Sequence, residues 1–166
     1  MKPKVLWIED GALIEASQFV GPVYTSGKYD LTIALDISEG VRQLMNSEFD
    51  AIIVDIRIPP GDDKKWIKFY SQSAFNKIQA RLGRLLLYSL LIPSEAKVPI
   101  ENIPQWIEPN KFGVLTVESR DELEADLEKL GIKVYRQKTA VMPVTVLLEL
   151  IEEIINLRKI QHKDPS

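Results

Sequence analysis

The 166-residue sequence contains no cysteine and only one histidine. The absence of cysteine excludes disulfides, thiolate metal ligands and cysteine nucleophiles. A single histidine without cysteine cannot supply the nitrogen and sulfur ligands of a typical zinc site. Zinc enzymes, thiol-dependent catalysts and disulfide-stapled domains are therefore excluded.

Long hydrophobic runs and a strong charge of one sign are also missing. The first apolar run has four residues, too few for a signal-peptide core or a membrane span. The formal net charge of −3 provides no basic face for nucleic acid. With 45% hydrophobic residues, we expect one domain over residues 1–160, cytoplasmic, without membrane or nucleic-acid partners, followed by a polar tail at 161–166.

The chain alternates short apolar runs with segments of helical spacing. Strands are predicted at 4–8, 30–35, 49–54, 112–117 and 132–136. Helices are predicted at 12–20, stopped or kinked by Gly21-Pro22, at 38–47 with Ser38 as a cap, at 119–130 behind a Ser119/Glu122 capping box, and at 144–159. This alternation predicts an α/β fold, a doubly wound parallel sheet with helices on both faces.

The middle of the chain allows two interpretations. Apolar residues keep helical spacing over residues 64–91, which predicts one extended third helix, whereas a competing interpretation makes 84–88 a strand. Residues 92–110 contain four prolines and are expected to be irregular, with Trp106 anchoring the loop.

Acidic residues end the first apolar run of the chain and the next strong one. Glu9 and Asp10 follow the first strand, and Asp55 follows the third. Side chains at the carboxyl ends of parallel strands project into the crevice where open α/β sheets bind ligands. Three converging carboxylates form an oxygen-only site for a hard cation such as Mg²⁺. This arrangement suits phosphoryl chemistry.

The ordered set Glu9-Asp10, Asp55, Thr116 and Lys138 lies at the ends of the first, third, fourth and fifth predicted strands, and it resembles the site of response-regulator receiver domains. The strongest local match is residues 130–138, LGIKVYRQK, which is similar to the family's approach to its lysine. The resemblance covers the chain except for an insertion at about 83–111. Thr139 stands where the family usually has proline, so that loop departs from the pattern.

The resemblance implies a flavodoxin-like sheet of five parallel strands in the order 2-1-3-4-5. It also implies that Asp55 is the phosphoacceptor, with Lys138 and Thr116 contacting the phosphoryl oxygens. Glu9, Asp10, Asp55 and the backbone carbonyl of Arg57 would hold Mg²⁺. Tyr135 would be the switch aromatic. Ser89 rivals Thr116 as the hydroxyl residue if 84–88 is the fourth strand.

By the same resemblance, the chain would act in a two-component phosphorelay. A histidine kinase or phosphotransfer protein would phosphorylate it, and a downstream effector protein or a homodimer would carry the signal. It would catalyse only its own phosphorylation and dephosphorylation. One alternative is a receiver-like interaction module that works without phosphorylation, with the insertion as its working surface. A weaker one is a Mg²⁺-dependent hydrolase with an aspartate nucleophile.

Overall fold

The computed structural model describes residues 1–72 and 80–163. Five parallel strands form one sheet in the order β2-β1-β3-β4-β5. The strands are β1 Lys4–Ile8, β2 Asp30–Ala34, β3 Ala51–Val54, β4 Phe112–Thr116 and β5 Val134–Gln137. The helices are α1 Val20–Ser26, α2 Ile37–Asn46, α3 Lys64–Gln72, α4 Leu82–Leu91, α5 Arg120–Leu130 and α6 Val146–Lys163. The predicted fold class and strand order are confirmed.

The sheet separates two apolar layers because successive strand residues face opposite sides. Leu6 and Ile8 of β1 pack in a cluster with residues of α2, α4 and α5. Val5 and Trp7 of the same strand pack with residues of α1 and α6. Both faces of the central strands are therefore covered, which explains why β3 is apolar at every position.

The first predicted helix is wrong. Residues 10–16 form turns, a short 3₁₀ turn covers Ser17–Phe19, and α1 begins only at Val20. Gly21 and Pro22 lie inside its first turn instead of ending a helix. Proline is tolerated there because the first amides of a helix have no intrahelical partner.

The extended third helix is also not a single helix. Within the described residues, α3 ends at Gln72, and Ala80 and Arg81 are not helical. The part of this prediction that covers 73–79 lies outside the described residues. The competing strand at 84–88 is wrong as well, because these residues lie within α4.

Two helix boundaries differ from their predictions. Asp36, not Ser38, caps α2, because its carboxylate accepts from the Glu39 amide at 2.8 Å. The Ser38 hydroxyl instead donates to the carbonyl of Pro60. At the other end of the chain, α6 continues through residues 161–163, which were predicted to be a polar tail.

The proline-rich connection 92–110 is irregular, as predicted, with short 3₁₀ turns at Pro93–Glu95 and Pro109–Lys111. The Trp106 ring packs 6.4 Å from that of Phe49. The buried ammonium of Lys111 lies over Trp106 and 3.3 Å from Glu48. These contacts confirm that Trp106 anchors the loop. No helix among the described residues is both long and apolar enough to cross a bilayer.

Candidate functional site

The acidic residues converge at the carboxyl edge of the sheet because β1 and β3 are neighbours. Glu9 and Asp10 follow β1, and Asp55 follows β3. One carboxylate oxygen from each residue lies within 4.8 Å of the other two. Glu9 is 3% exposed and Asp55 5%, whereas Asp10 faces solvent. The pocket therefore has two buried carboxylates, and it is open to solvent at Asp10.

Lys138 brings a cation into this pocket. Its ammonium lies 2.8 Å from Oδ2 of Asp55 and also donates to Oε1 of Glu9. The position of the lysine is set by β5, since its backbone amide donates to the carbonyl of Thr116 at the end of β4. One ammonium thus contacts both buried carboxylates.

The electrostatics of the pocket favour a bound cation. Burial and the facing Asp55 carboxylate together outweigh Lys138 and raise the pKa of Glu9 to about 8. Loss of solvent and repulsion from Asp55 raise the pKa of Asp10. Burial alone would lower the pKa of Lys138, but the charges of Asp55 and Glu9 outweigh this and raise it. The pocket carries more negative charge than one lysine neutralises.

The chemistry of the pocket fits Mg²⁺. All three acids offer hard oxygen ligands, which this ion prefers. Oε2 of Glu9 is buried, and no donor among the described residues reaches it. A buried acceptor without a partner is costly, and a cation would satisfy it. Arg57 lies in the loop after β3 together with Asp55, and its amide is 3.3 Å from Oδ1 of Asp55.

Among the described residues, neither predicted signalling residue, Thr116 or Tyr135, has a side-chain hydrogen bond to the acids of the pocket. Thr116 is fully buried as the last residue of β4, and the Glu118 amide is 3.5 Å from its hydroxyl. Within the described part of the chain, no hydrogen bond joins that hydroxyl to Asp55 or Lys138. Tyr135 is buried, and its hydroxyl donates to the carbonyl of Glu118. Both side chains therefore contact the loop after β4.

Ser89 does not lie at a strand end. It is fully buried inside α4, and its hydroxyl is within hydrogen-bonding distance of the carbonyls of Leu85 (2.9 Å) and Val98 (2.7 Å). The end of β4 thus places Thr116, and not Ser89, beside the acidic pocket.

Sequence reasoning missed Glu118 and Arg81. The Glu118 side chain is 3% exposed, and one of its carboxylate oxygens lies 2.8 Å from Nε of Arg81. The Arg57 guanidinium is 3.9 Å away on the same carboxylate. Glu118 directly follows the predicted strand 112–117, so the sequence did carry a signal for it, whereas Arg81 has no distinctive spacing.

The three-dimensional comparison agrees with the predicted resemblance at the level of the fold. A CheY-like response regulator receiver domain protein from Methanospirillum hungatei JF-1 superposes with a TM-score of 0.59 at 18% identity, over 97% of this chain and 99% of that one. A response regulator from Thermotoga maritima gives a TM-score of 0.58 at 16% identity, over 94% and 99%.

A third structure, the receiver domain of the Francisella response regulator 1452, superposes with a TM-score of 0.57 at 21% identity, over 96% of this chain and 99% of that one. No protein-family model and no curated protein matches the sequence. The chain has a receiver-domain fold.

Proposed function

We propose that this chain is a phosphoacceptor receiver of a two-component phosphorelay, with Asp55 as the residue that is phosphorylated. The observation that carries the proposal is the setting of Asp55. Its carboxylate is nearly buried, 2.8 Å from the Lys138 ammonium, and shares a 4.8 Å cluster with Glu9 and Asp10. Asp55 thus has a nucleophilic oxygen next to the Lys138 ammonium, and its acidic neighbours could hold a metal cation.

The reaction is phosphoryl transfer to a carboxylate. An Asp55 oxygen attacks phosphorus, a P–O bond forms, and the P–N bond of a phosphohistidine donor breaks with its electron pair going to the imidazole. The ammonium of Lys138 offsets the charge on the phosphoryl oxygens. The donor would be a histidine kinase or a phosphotransfer protein. The chain would catalyse its own phosphorylation and dephosphorylation and no other turnover.

Glu9, Asp10 and Asp55 would hold Mg²⁺, with the backbone carbonyl of Arg57 as a further ligand. When bound, this ion reduces the repulsion between the anionic nucleophile and the anionic phosphate. Asp10 and Asp55 would bind it directly, and Glu9 through water.

Signalling would begin with the new charge at Asp55. A dianionic group beside the carboxyl ends of β4 and β5 adds strong hydrogen-bond acceptors there. Thr116 would turn its hydroxyl towards the phosphate, and Tyr135 would follow behind it. A downstream effector, or a second copy of the chain, would read the changed surface of α5, β5 and α6 in the cytoplasm.

The test is the intact mass of the protein after incubation with acetyl phosphate and Mg²⁺. We expect a gain of one phosphate that is lost in Asp55→Asn and without Mg²⁺. Asp62→Asn, which removes an exposed aspartate far along the same loop, should be phosphorylated normally. No gain with any donor would instead indicate an interaction module, and sustained release of inorganic phosphate would indicate a hydrolase.

A further inference from the structure

A second charged cluster lies beside the acidic pocket and is built around the buried Glu118 carboxylate. Nε of Arg81 lies 2.8 Å from Oε1 of Glu118, without the alignment of a hydrogen bond, and Arg57 approaches the same carboxylate at 3.9 Å. Arg57 and Arg81 line two cavities, one of about 250 Å³ that reaches Asp10 and one of about 500 Å³ bounded by Glu118 and Glu122. The cluster therefore adjoins the pocket directly.

The first turn of α4 packs on the backbone that carries Asp55. The Gly83 amide donates to the carbonyl of Ile56 at 2.9 Å. A Cβ at Gly83 would lie 1.9 Å from the carbonyl oxygen of Asp55, so only glycine permits this approach. The position of the Asp55–Ile56 peptide thus depends on the position of α4.

Arg81 connects these two features. It immediately precedes α4 and has a φ of 50° and a ψ of 48°, the left-handed conformation that residues with a Cβ rarely adopt. Such a conformation persists when the surrounding contacts require it. The Arg81 carbonyl accepts from the amides of Arg84 and Leu85 in α4, and its side chain forms the ion pair with Glu118, so Arg81 links the start of α4 to the loop after β4.

We propose that Arg81 and Glu118 are a positioning pair for the acidic pocket. Their ion pair holds the first turn of α4 against the Asp55–Ile56 backbone, and this contact fixes the loop from which Asp55 and Arg57 project. We call this contact of α4 with the Asp55–Ile56 backbone, held by Arg81 and Glu118, the clamp. The effect of the clamp on metal and phosphate binding rests on the function proposed above, whereas the clamp itself does not.

The clamp is tested by amide hydrogen exchange in the full chain, followed by NMR at two amides. The Gly83 amide reports the α4 contact, and the Arg57 amide, which lies 3.3 Å from Oδ1 of Asp55, reports the pocket. We expect both to exchange about tenfold faster in Glu118→Gln, because a charged partner is lost. The amide of Glu39 at the start of α2, which opens independently of α4, should keep its wild-type rate, which shows that the change is local to the α4 contact.

Three further variants separate charge from other effects. Arg81→Asn tolerates the left-handed backbone but removes the cation, so it should behave like Glu118→Gln. Arg81→Lys keeps the charge and should restore most of the protection. Glu122→Gln removes an equal charge from the rim of the same cavity and should leave both amides unchanged.

Mg²⁺ titration then tests the consequence for the site. Loss of an outer residue that orients metal ligands typically weakens metal binding by about 10- to 100-fold. We expect such a loss in Glu118→Gln and Arg81→Asn, and no loss in Glu122→Gln. Wild-type exchange rates at Gly83 and Arg57 in both variants would overturn the proposal. So would unchanged Mg²⁺ affinity together with faster exchange.

If the wild-type chain binds no Mg²⁺, the proposed phosphoacceptor function fails on its own. The clamp is then decided by the Gly83 and Arg57 amides, which report it without a metal.

Discussion

Lys138 and Asp55 are 83 residues apart in the chain, yet the ammonium of one lies 2.8 Å from a carboxylate oxygen of the other. The parallel order β1-β3-β4-β5 creates this contact, because it gathers the carboxyl ends of four strands along one edge. Glu9 shares the same ammonium. The sheet thereby concentrates carboxylates and an opposing ammonium in one pocket.

Lys138→Met should slow phosphorylation of Asp55 by about 100-fold, because it removes the cation that stabilises the phosphoryl oxygens. The initial rate of mass gain from acetyl phosphate measures the effect. Lys133→Met is the matched control, since Lys133 is exposed just before β5. Equal rates in Lys138→Met and the wild type would remove Lys138 from the site.

Asp10→Asn should raise the stability of the metal-free protein and abolish its response to Mg²⁺. The pKa of Asp10 is raised, by loss of solvent and by repulsion from Asp55, so its charged form is disfavoured in the folded state near neutral pH. Replacing it with a neutral amide relieves that cost. Thermal unfolding in EDTA and in excess Mg²⁺ checks both effects.

The wild type should gain melting temperature on addition of Mg²⁺, as expected for an ion that binds the folded state. Asp62→Asn should retain that gain. A shift of the same size in Asp10→Asn would mean that Mg²⁺ binds elsewhere.

Gly83→Ala should destabilise the protein by about 3 kcal/mol, because the added methyl would overlap the carbonyl of Asp55 and force α4 outward. Urea unfolding measures the free energy. Gly21→Ala is the control: beyond its chain neighbours and its own helix backbone, no atom lies within 4 Å of the added Cβ. This substitution in α1 should raise the free energy of unfolding by up to about 1 kcal/mol. Similar free energies of unfolding for Gly83→Ala and the wild type would contradict the packing of α4 on Asp55.

Asp126→Asn should weaken the contact between α4 and α5 in a pH-dependent way. Burial alone would raise the pKa of Asp126, but hydrogen bonds from Arg84 (2.8 Å) and Tyr88 (2.6 Å) prevail and lower it. A carboxylate with a lowered folded-state pKa stabilises the protein above its unfolded pKa of about 4, and loses this contribution as the pH falls through the folded value.

We expect a loss of about 1 kcal/mol at pH 7 for this partly exposed network, fading below about pH 4. Urea unfolding of wild type and variant at several pH values measures the difference. A difference that is constant down to pH 2 would show that the charge of Asp126 contributes nothing.

The strand ends could be predicted from the sequence because they depend on local patterns. Apolar runs followed by Glu9-Asp10 and Asp55 mark the crevice of a parallel sheet without knowledge of tertiary contacts. Helical spacing was less reliable. Residues 12–20 have the apolar spacing of a helix but precede α1 almost entirely, and Pro22, which the pattern predicts to stop a helix, is the third residue of α1.

Other features depend on contacts that spacing does not encode. The break before α4 rests on the left-handed Arg81 and on the close approach of Gly83 to Asp55, which are tertiary constraints. Glu118 is buried because two arginines from distant segments surround it. Such a pair becomes visible only when the fold has brought its members together.

The most direct test of the account is the chemical nature and location of the phosphate after reaction with acetyl phosphate and Mg²⁺. Peptide mass mapping should place it on the peptide containing Asp55, and hydroxylamine should remove it, since an acyl phosphate is labile to this nucleophile. A phosphate that resists hydroxylamine, or that maps to a peptide without Asp55, would contradict the assignment of Asp55 as the phosphoacceptor.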